Sequence, residues 1–207
     1  MLALLGPLIA IGLMQFPLAR TLFPDGTPYV ALLRELVPWG IACFVTIWVL
    51  LIERQPLASI GFRRPDKRSL RLACWTAAFI SAVMVIQFFV VLPLFGLTHA
   101  AELRQQILAL PWWMRLLIVV RSAVTEEIIY RGFPIERVFW LTRSKAVALV
   151  ISVIAFAAAH LRGWGPSQLV PVAIGGVALG WLYLARRNLF ANMLAHFITD
   201  AAGFLFS

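Results

Sequence analysis

The chain has 207 residues, 62% of them hydrophobic and only 13% charged, with a mean hydropathy of +0.90. Soluble domains carry about 25% charged residues, so this balance excludes a cytosolic enzyme, a disordered tail and a secreted disulfide scaffold, and leaves an integral membrane protein. The net charge of +9 then reads as the Lys/Arg excess of membrane-protein loops, and no nucleic-acid partner is expected.

A spanning helix needs about 20 mostly apolar residues. In chain order, such runs occur at Leu2–Ala19, Leu36–Ile52, Leu72–Leu97, Trp112–Phe133, Ala146–Leu161, Leu169–Ala185 and Leu189–Phe206. The first has no basic leader and no small-residue cleavage site before Arg20, so it reads as a retained helix. Cys43 and Cys74 fall inside apolar runs and form neither a disulfide framework nor a zinc motif. The expected fold class is an all-α polytopic transmembrane helical bundle of about seven spans, a single integral membrane domain over residues 1–207. The lipid bilayer is its first partner.

The loops divide by charge. Arg54, Arg63, Arg64, Lys67, Arg68 and Arg71 lie between segments two and three. Arg137, Arg143 and Lys145 follow segment four, and Arg186 and Arg187 follow segment six. The alternate loops hold only Arg20, Arg34, Arg104 and Arg162, while Arg115, Arg121 and Arg131 fall inside segment four. The positive-inside rule puts the N-terminus in the cytoplasm of a multi-pass protein, in the cell or inner membrane if the source is prokaryotic. The loop Glu53–Arg71 reads as a basic topology anchor.

Ionisable groups within spans are the informative residues, because each costs a few kcal/mol in lipid. Segment four carries Glu126 and Glu127, whose side chains point about 100° apart on a helix. Glu127 and Arg131 have the favourable i,i+4 order for an ion pair. That pairing leaves Glu126 free to act as a general base or acid. His160 ends segment five after three alanines that allow close helix approach. In segment seven Asn188, Asn192, His196 and Asp200 draw one polar stripe down an apolar helix, so the stripe faces a polar interior. Helix-to-helix hydrogen bonding accounts for Asn192 but not for His196 with Asp200. Gly176 and Gly180 form a small-xxx-small pair in segment six, a close-packing signal. His99, in an outer loop beside Glu102 and Arg104, reads as solvated.

Taken together, Glu126-Glu127-x-x-x-Arg131, Phe156-x-x-x-His160 and His196-x-x-x-Asp200 on successive membrane helices resemble the CPBP (ABI, CAAX prenyl protease-like) family of intramembrane endopeptidases. Arg131-Gly132-Phe133, Ile60 to Pro65 and Leu179 to Tyr183 add to the likeness. It covers about residues 60–207 and leaves 1–52 as two additional N-terminal spans. The resemblance implies hydrolysis of a peptide bond in a membrane-associated peptide or protein. Glu126 and His160 would hold and deprotonate the attacking water, and His196 with residue 200 would stabilise the oxyanion. Glu127 and Arg131, with Asn192, would support the site. Asp200 stands where many members carry Asn. An ionised Asp cannot donate to an oxyanion, so the preferred reading is that it orients His196 by accepting its N–H.

No cofactor is favoured. A divalent metal on Glu126, His160 and His196 is the alternative form of the same hydrolysis, although no HExxH motif is present. A proton-coupled transporter and a non-catalytic, immunity-type membrane protein are the competing classes; buried Glu, His and Asp also build proton relays, but no inverted repeat is visible. One geometric tension stands. At about 1.5 Å per residue from the cytoplasmic ends of their segments, Glu126 and His196 would lie about 10 Å deep and His160 about 21 Å deep.

Overall fold

A computed structural model describes residues 2–15, 22 and 28–206. Arg20 and the end of the first segment, 16–19, lie outside the described residues. Among the described residues eight helices and no strand occur, so the fold is an all-α bundle.

The helices are α1 (Leu2–Gln15), α2 (Pro28–Ile47, continued by a π-helical turn Trp48–Ile52) and α3 (Lys67–Ile86, continued through Gln87–Val91 to Leu92–Leu94). The short α4 (His99–Leu108) leads into the long α5 (Trp112–Thr142), followed by α6 (Lys145–Trp164), α7 (Leu169–Arg186) and α8 (Leu189–Phe204). By length and composition, Leu33–Ile52, Lys67–Leu94 and Pro166–Arg186 can each cross a membrane, and α4 with α5, bent by 118° between them, makes a fourth candidate. Among the described residues, three or four helices therefore meet the length and hydropathy of a span, against the seven apolar runs of the sequence.

Small residues set the closest helix contacts. Ala73 and Ala77 of α3 meet Ala191 and Ala195 of α8 in one cluster of buried side chains, a four-residue spacing that lets the two backbones approach. The expected contact at Gly180 is present. A Cβ there would lie 2.3 Å from Leu149 of α6, and one at Gly176 would meet Phe156 at 3.3 Å. A second cluster joins the N-terminal helices to the rest, with Ala10 and Val45 packed among Ile129, Tyr130, Phe133 and Phe156.

Ion pairs tie three loop regions to one end of the bundle. Glu53 binds Arg137 (Nη2–Oε2 2.5 Å), Asp66 binds Arg186 (2.6 Å), and Glu136 binds Arg187. The loops grouped by their basic charge therefore lie side by side. Arg137, expected in a loop, belongs instead to α5, which runs nine residues past its apolar part to Thr142. The hydrophobic run ended at Phe133, but Glu53, Glu136 and Arg187 supply partners that let a polar helix continue.

Asp66 caps α3 by accepting the backbone N–H of Ser69 at 2.7 Å. Hydrogen bonds from Ser69, with the Arg186 guanidinium as a further partner, lower its carboxyl to about 2. A carboxylate lowered in the folded state contributes stability that is complete above its unfolded value near 4 and is lost as pH falls through about 2. The thermal midpoint of the wild type should therefore fall more steeply between pH 4 and pH 2 than that of Asp66→Ala, measured side by side in one detergent; parallel curves would contradict the cap.

The length of α5 also removes the depth tension. From Thr142 up to Glu126 the helix rises about 24 Å, and from Lys145 up to His160 α6 rises about 22 Å, so the two residues are level. Helix α8 starts deep. Its first residue, Leu189, donates its N–H to the Gly61 carbonyl (2.7 Å) and packs beside Gly132. Gly132 lies about 15 Å in from Thr142, and His196 about 10 Å beyond Leu189, which brings it to the same layer. Gly132 is required for this close approach, since a Cβ there would sit 2.6 Å from the Ile60 carbonyl oxygen.

Candidate active site

Glu127 is fully buried and saturated. It accepts from Arg131 Nη1 (2.9 Å), His196 Nδ1 (2.8 Å) and Asn192 Nδ2 (3.1 Å). Asn192 also donates to the Leu179 carbonyl (2.7 Å), pinning α8 to α7. The Arg131 guanidinium, itself fully buried, lies 3.9 Å from the centroid of the Phe156 ring, a cation–π contact that substitutes for hydration. The expected i,i+4 pair is thus one edge of a five-residue cluster spanning α5, α6 and α8.

Glu126 points elsewhere. Its Oε1 accepts from Ser122 Oγ (2.7 Å) and Arg121 Nη1 (3.0 Å). Its Oε2 is buried with no hydrogen-bond partner and lies 3.8 Å from His160 Nε2. The expectation of a free Glu126 therefore needs correction: one oxygen is anchored and only the other is available. Arg121 was visible as a charge inside segment four, and Ser122 stands four residues before Glu126. Reading that i,i+4 pair with the intramembrane arginine was the signal that could have found both.

His160 is fixed by its Nδ1, 2.8 Å from the Phe156 carbonyl of its own helix. A carbonyl only accepts, so Nδ1 carries a proton and Nε2 faces Glu126. The Phe156 ring packs against His160 at 4.4 Å and, edge-on, against His196 at 6.3 Å. One aromatic wall thereby positions both histidines and Arg131.

His196 shows a further difference from expectation. The carboxylate that accepts its N–H is Glu127, at Nδ1. Asp200 lies on the other side, 3.6 Å from Nε2, within ion-pair range but longer than a hydrogen bond. The spacing of the α8 stripe places Asp200 near His196; what it could not reveal was that α5 supplies the closer acceptor. Asn188, the first residue of that stripe, does not reach the site and caps α8 through Ala191 N (2.9 Å). His99 is exposed, as expected, and touches the Gly163 carbonyl (3.2 Å).

The helix that carries both acids is irregular where they stand, with π-helical stretches at Ser122–Glu126 and Ile128–Gly132 on either side of Glu127. Such stretches are rare and recur at functional sites. Glu126, His160, His196 and Asp200 all line one cavity of about 360 Å³, whose remaining wall is largely apolar, with Phe88, Trp164 and Phe204 among its residues. His196 commits one nitrogen to Glu127, and among the described residues no group of three His, Cys, Asp or Glu side chains is arranged to hold a metal ion. As placed, Glu126, His160 and His196 do not form a metal cage.

A helical membrane bundle with a carboxylate–histidine cluster lining an internal cavity is the class that fold and site define. Residues 108–202, which carry every charged and histidine residue of the cluster, match the family model described as type II CAAX prenyl endopeptidase Rce1-like. The match covers 95 of the 207 residues and makes this part of the chain similar to the CPBP/CAAX protease-like family of intramembrane endopeptidases. Comparison with curated proteins and with solved structures gave no match.

Proposed function

We propose that the chain hydrolyses a peptide bond of a membrane-associated peptide or protein with a water activated by Glu126, without a metal. The observation that carries this reading is the 3.8 Å approach of Glu126 Oε2 to His160 Nε2 on the wall of the cavity, with Oε2 unused by any protein donor. One water can touch both atoms. Glu126 takes its proton, the hydroxide oxygen attacks the scissile carbonyl carbon, and the proton passes to the leaving nitrogen as the C–N bond breaks. The products are a carboxylate and an amine. His196 is aimed by Glu127 at Nδ1, so its Nε2, facing the cavity, is the donor for the developing oxyanion when protonated. Positioned donors of this kind supply much of the rate in acyl-group hydrolysis.

In this reading Asp200 assists His196 without being its sole orienting partner, because Glu127 already holds the ring. Asp200→Asn should retain cleavage of a membrane peptide within a few-fold of the wild type; abolished cleavage at normal thermal stability would show that the Asp200 charge is required. Cleavage by the purified protein should also survive strong chelators. Loss on chelation, restored by adding back a divalent metal, would favour the metal-dependent form. We further place the N-terminus in the cytoplasm, from the basic loops that the ion pairs of Glu53, Asp66 and Glu136 gather at one end.

A further inference from the structure

Glu35, on α2, lies outside the segment matched to the family, yet it is one bond from the site. Its Oε2 accepts from Arg121 Nε at 2.7 Å, and the same guanidinium gives Nη1 to Glu126 Oε1 at 3.0 Å. Ser122 Oγ holds that same Glu126 oxygen at 2.7 Å. Arg121 and Glu126 are largely shielded, with side-chain exposures of 16% and 8%, and Glu35 is at 29%.

An arginine fork binds a lone carboxylate best through both oxygens at once. If Arg121 did so with Glu126, it would cover Oε2, the oxygen the proposed water must meet. Here the guanidinium is divided between two carboxylates, and its Nε edge is turned to Glu35. Two carboxylates sharing one guanidinium also leave a net negative charge beside the cavity, which a one-to-one pair would cancel. We propose that Glu35 is a positioning residue: it holds Arg121 off Glu126 Oε2 and so keeps the base available. Helix α2 thereby completes the site from outside the matched segment. This inference rests on the assignment of Glu126 as the base.

The test uses full-length protein and a membrane peptide that the wild type cleaves. Glu35→Ala should lower kcat about tenfold or more, the scale of a lost hydrogen bond to a charged group, with KM and the melting temperature little changed. The loss should vanish in the Arg121→Gln background, so that the double variant is no slower than Arg121→Gln alone. A purely structural ion pair predicts additive losses and a lowered melting temperature, and that result would overturn the proposal. Glu35→Asp, which keeps the charge, should recover part of the rate if Glu35→Ala folds poorly; no recovery would count against it. A structure of Glu35→Ala provides a readout independent of cleavage. Arg121 should move onto Glu126 Oε2, and an unchanged contact with Oε1 alone would refute the clamp. If Glu126→Gln still cleaves, the assignment of the base has failed, whereas an inactive Glu126→Gln beside a fully active Glu35→Ala defeats only the clamp.

Discussion

Glu126→Gln is expected to lower kcat/KM for a membrane peptide by about 10²–10⁴-fold, the range of a positioned general base. The substitution keeps the length and shape of the side chain, and its carboxamide oxygen can still accept from Ser122 Oγ and Arg121, which anchor Oε1 in the wild type. What it removes is the basic oxygen facing His160. The loss should appear in kcat with the fold intact, because the side chain bears on the cavity rather than on helix packing. A comparable fall in thermal stability would instead mark Glu126 as a packing residue.

Arg131→Met should have the opposite signature, a large destabilisation of about 3–5 kcal/mol, as when one member of a buried pair is removed. Glu127 would remain fully buried among His196 and Asn192 without its cation, and the stack on Phe156 would be lost. Thermal or denaturant unfolding in detergent measures the effect directly. The double variant Glu127→Gln/Arg131→Met should recover much of the stability, since no unpaired charge remains. It should stay slow in cleavage, because His196 then loses the carboxylate that aims it. A double variant no more stable than Arg131→Met would show that the pair contributes little beyond the volume of its side chains.

The all-α fold and six of the charged or histidine residues of the candidate site were legible in the sequence for one reason: lipid penalises polar groups, so the few that remain stand out against apolar runs. The Glu127–Arg131 pair followed from spacing on a single helix, and the structure contains it. Relations between helices were less accessible. That Glu127 rather than Asp200 accepts the His196 N–H depends on how α5 and α8 are placed, and no periodicity within α8 encodes it. The depth of Glu126 was misjudged because hydropathy ended segment four at Phe133, whereas α5 continues to Thr142 on ion pairs contributed by other loops. Glu35 carried no local motif at all, and its partner Arg121 lies on a different helix. The spacing Ala73/Ala77 and Ala191/Ala195, by contrast, was present in the sequence and marks the α3–α8 contact as plainly as Gly176/Gly180 marks α6–α7.

The most direct measurement is mass spectrometry of a single-span peptide incubated in proteoliposomes with the purified protein and a chelator. Two fragments whose masses sum to that of the peptide plus one water, formed by the wild type and absent with Glu126→Gln, are the result expected of metal-free hydrolysis at this site. Fragments of equal yield from both proteins, or none from the wild type across a panel of such peptides, would contradict it.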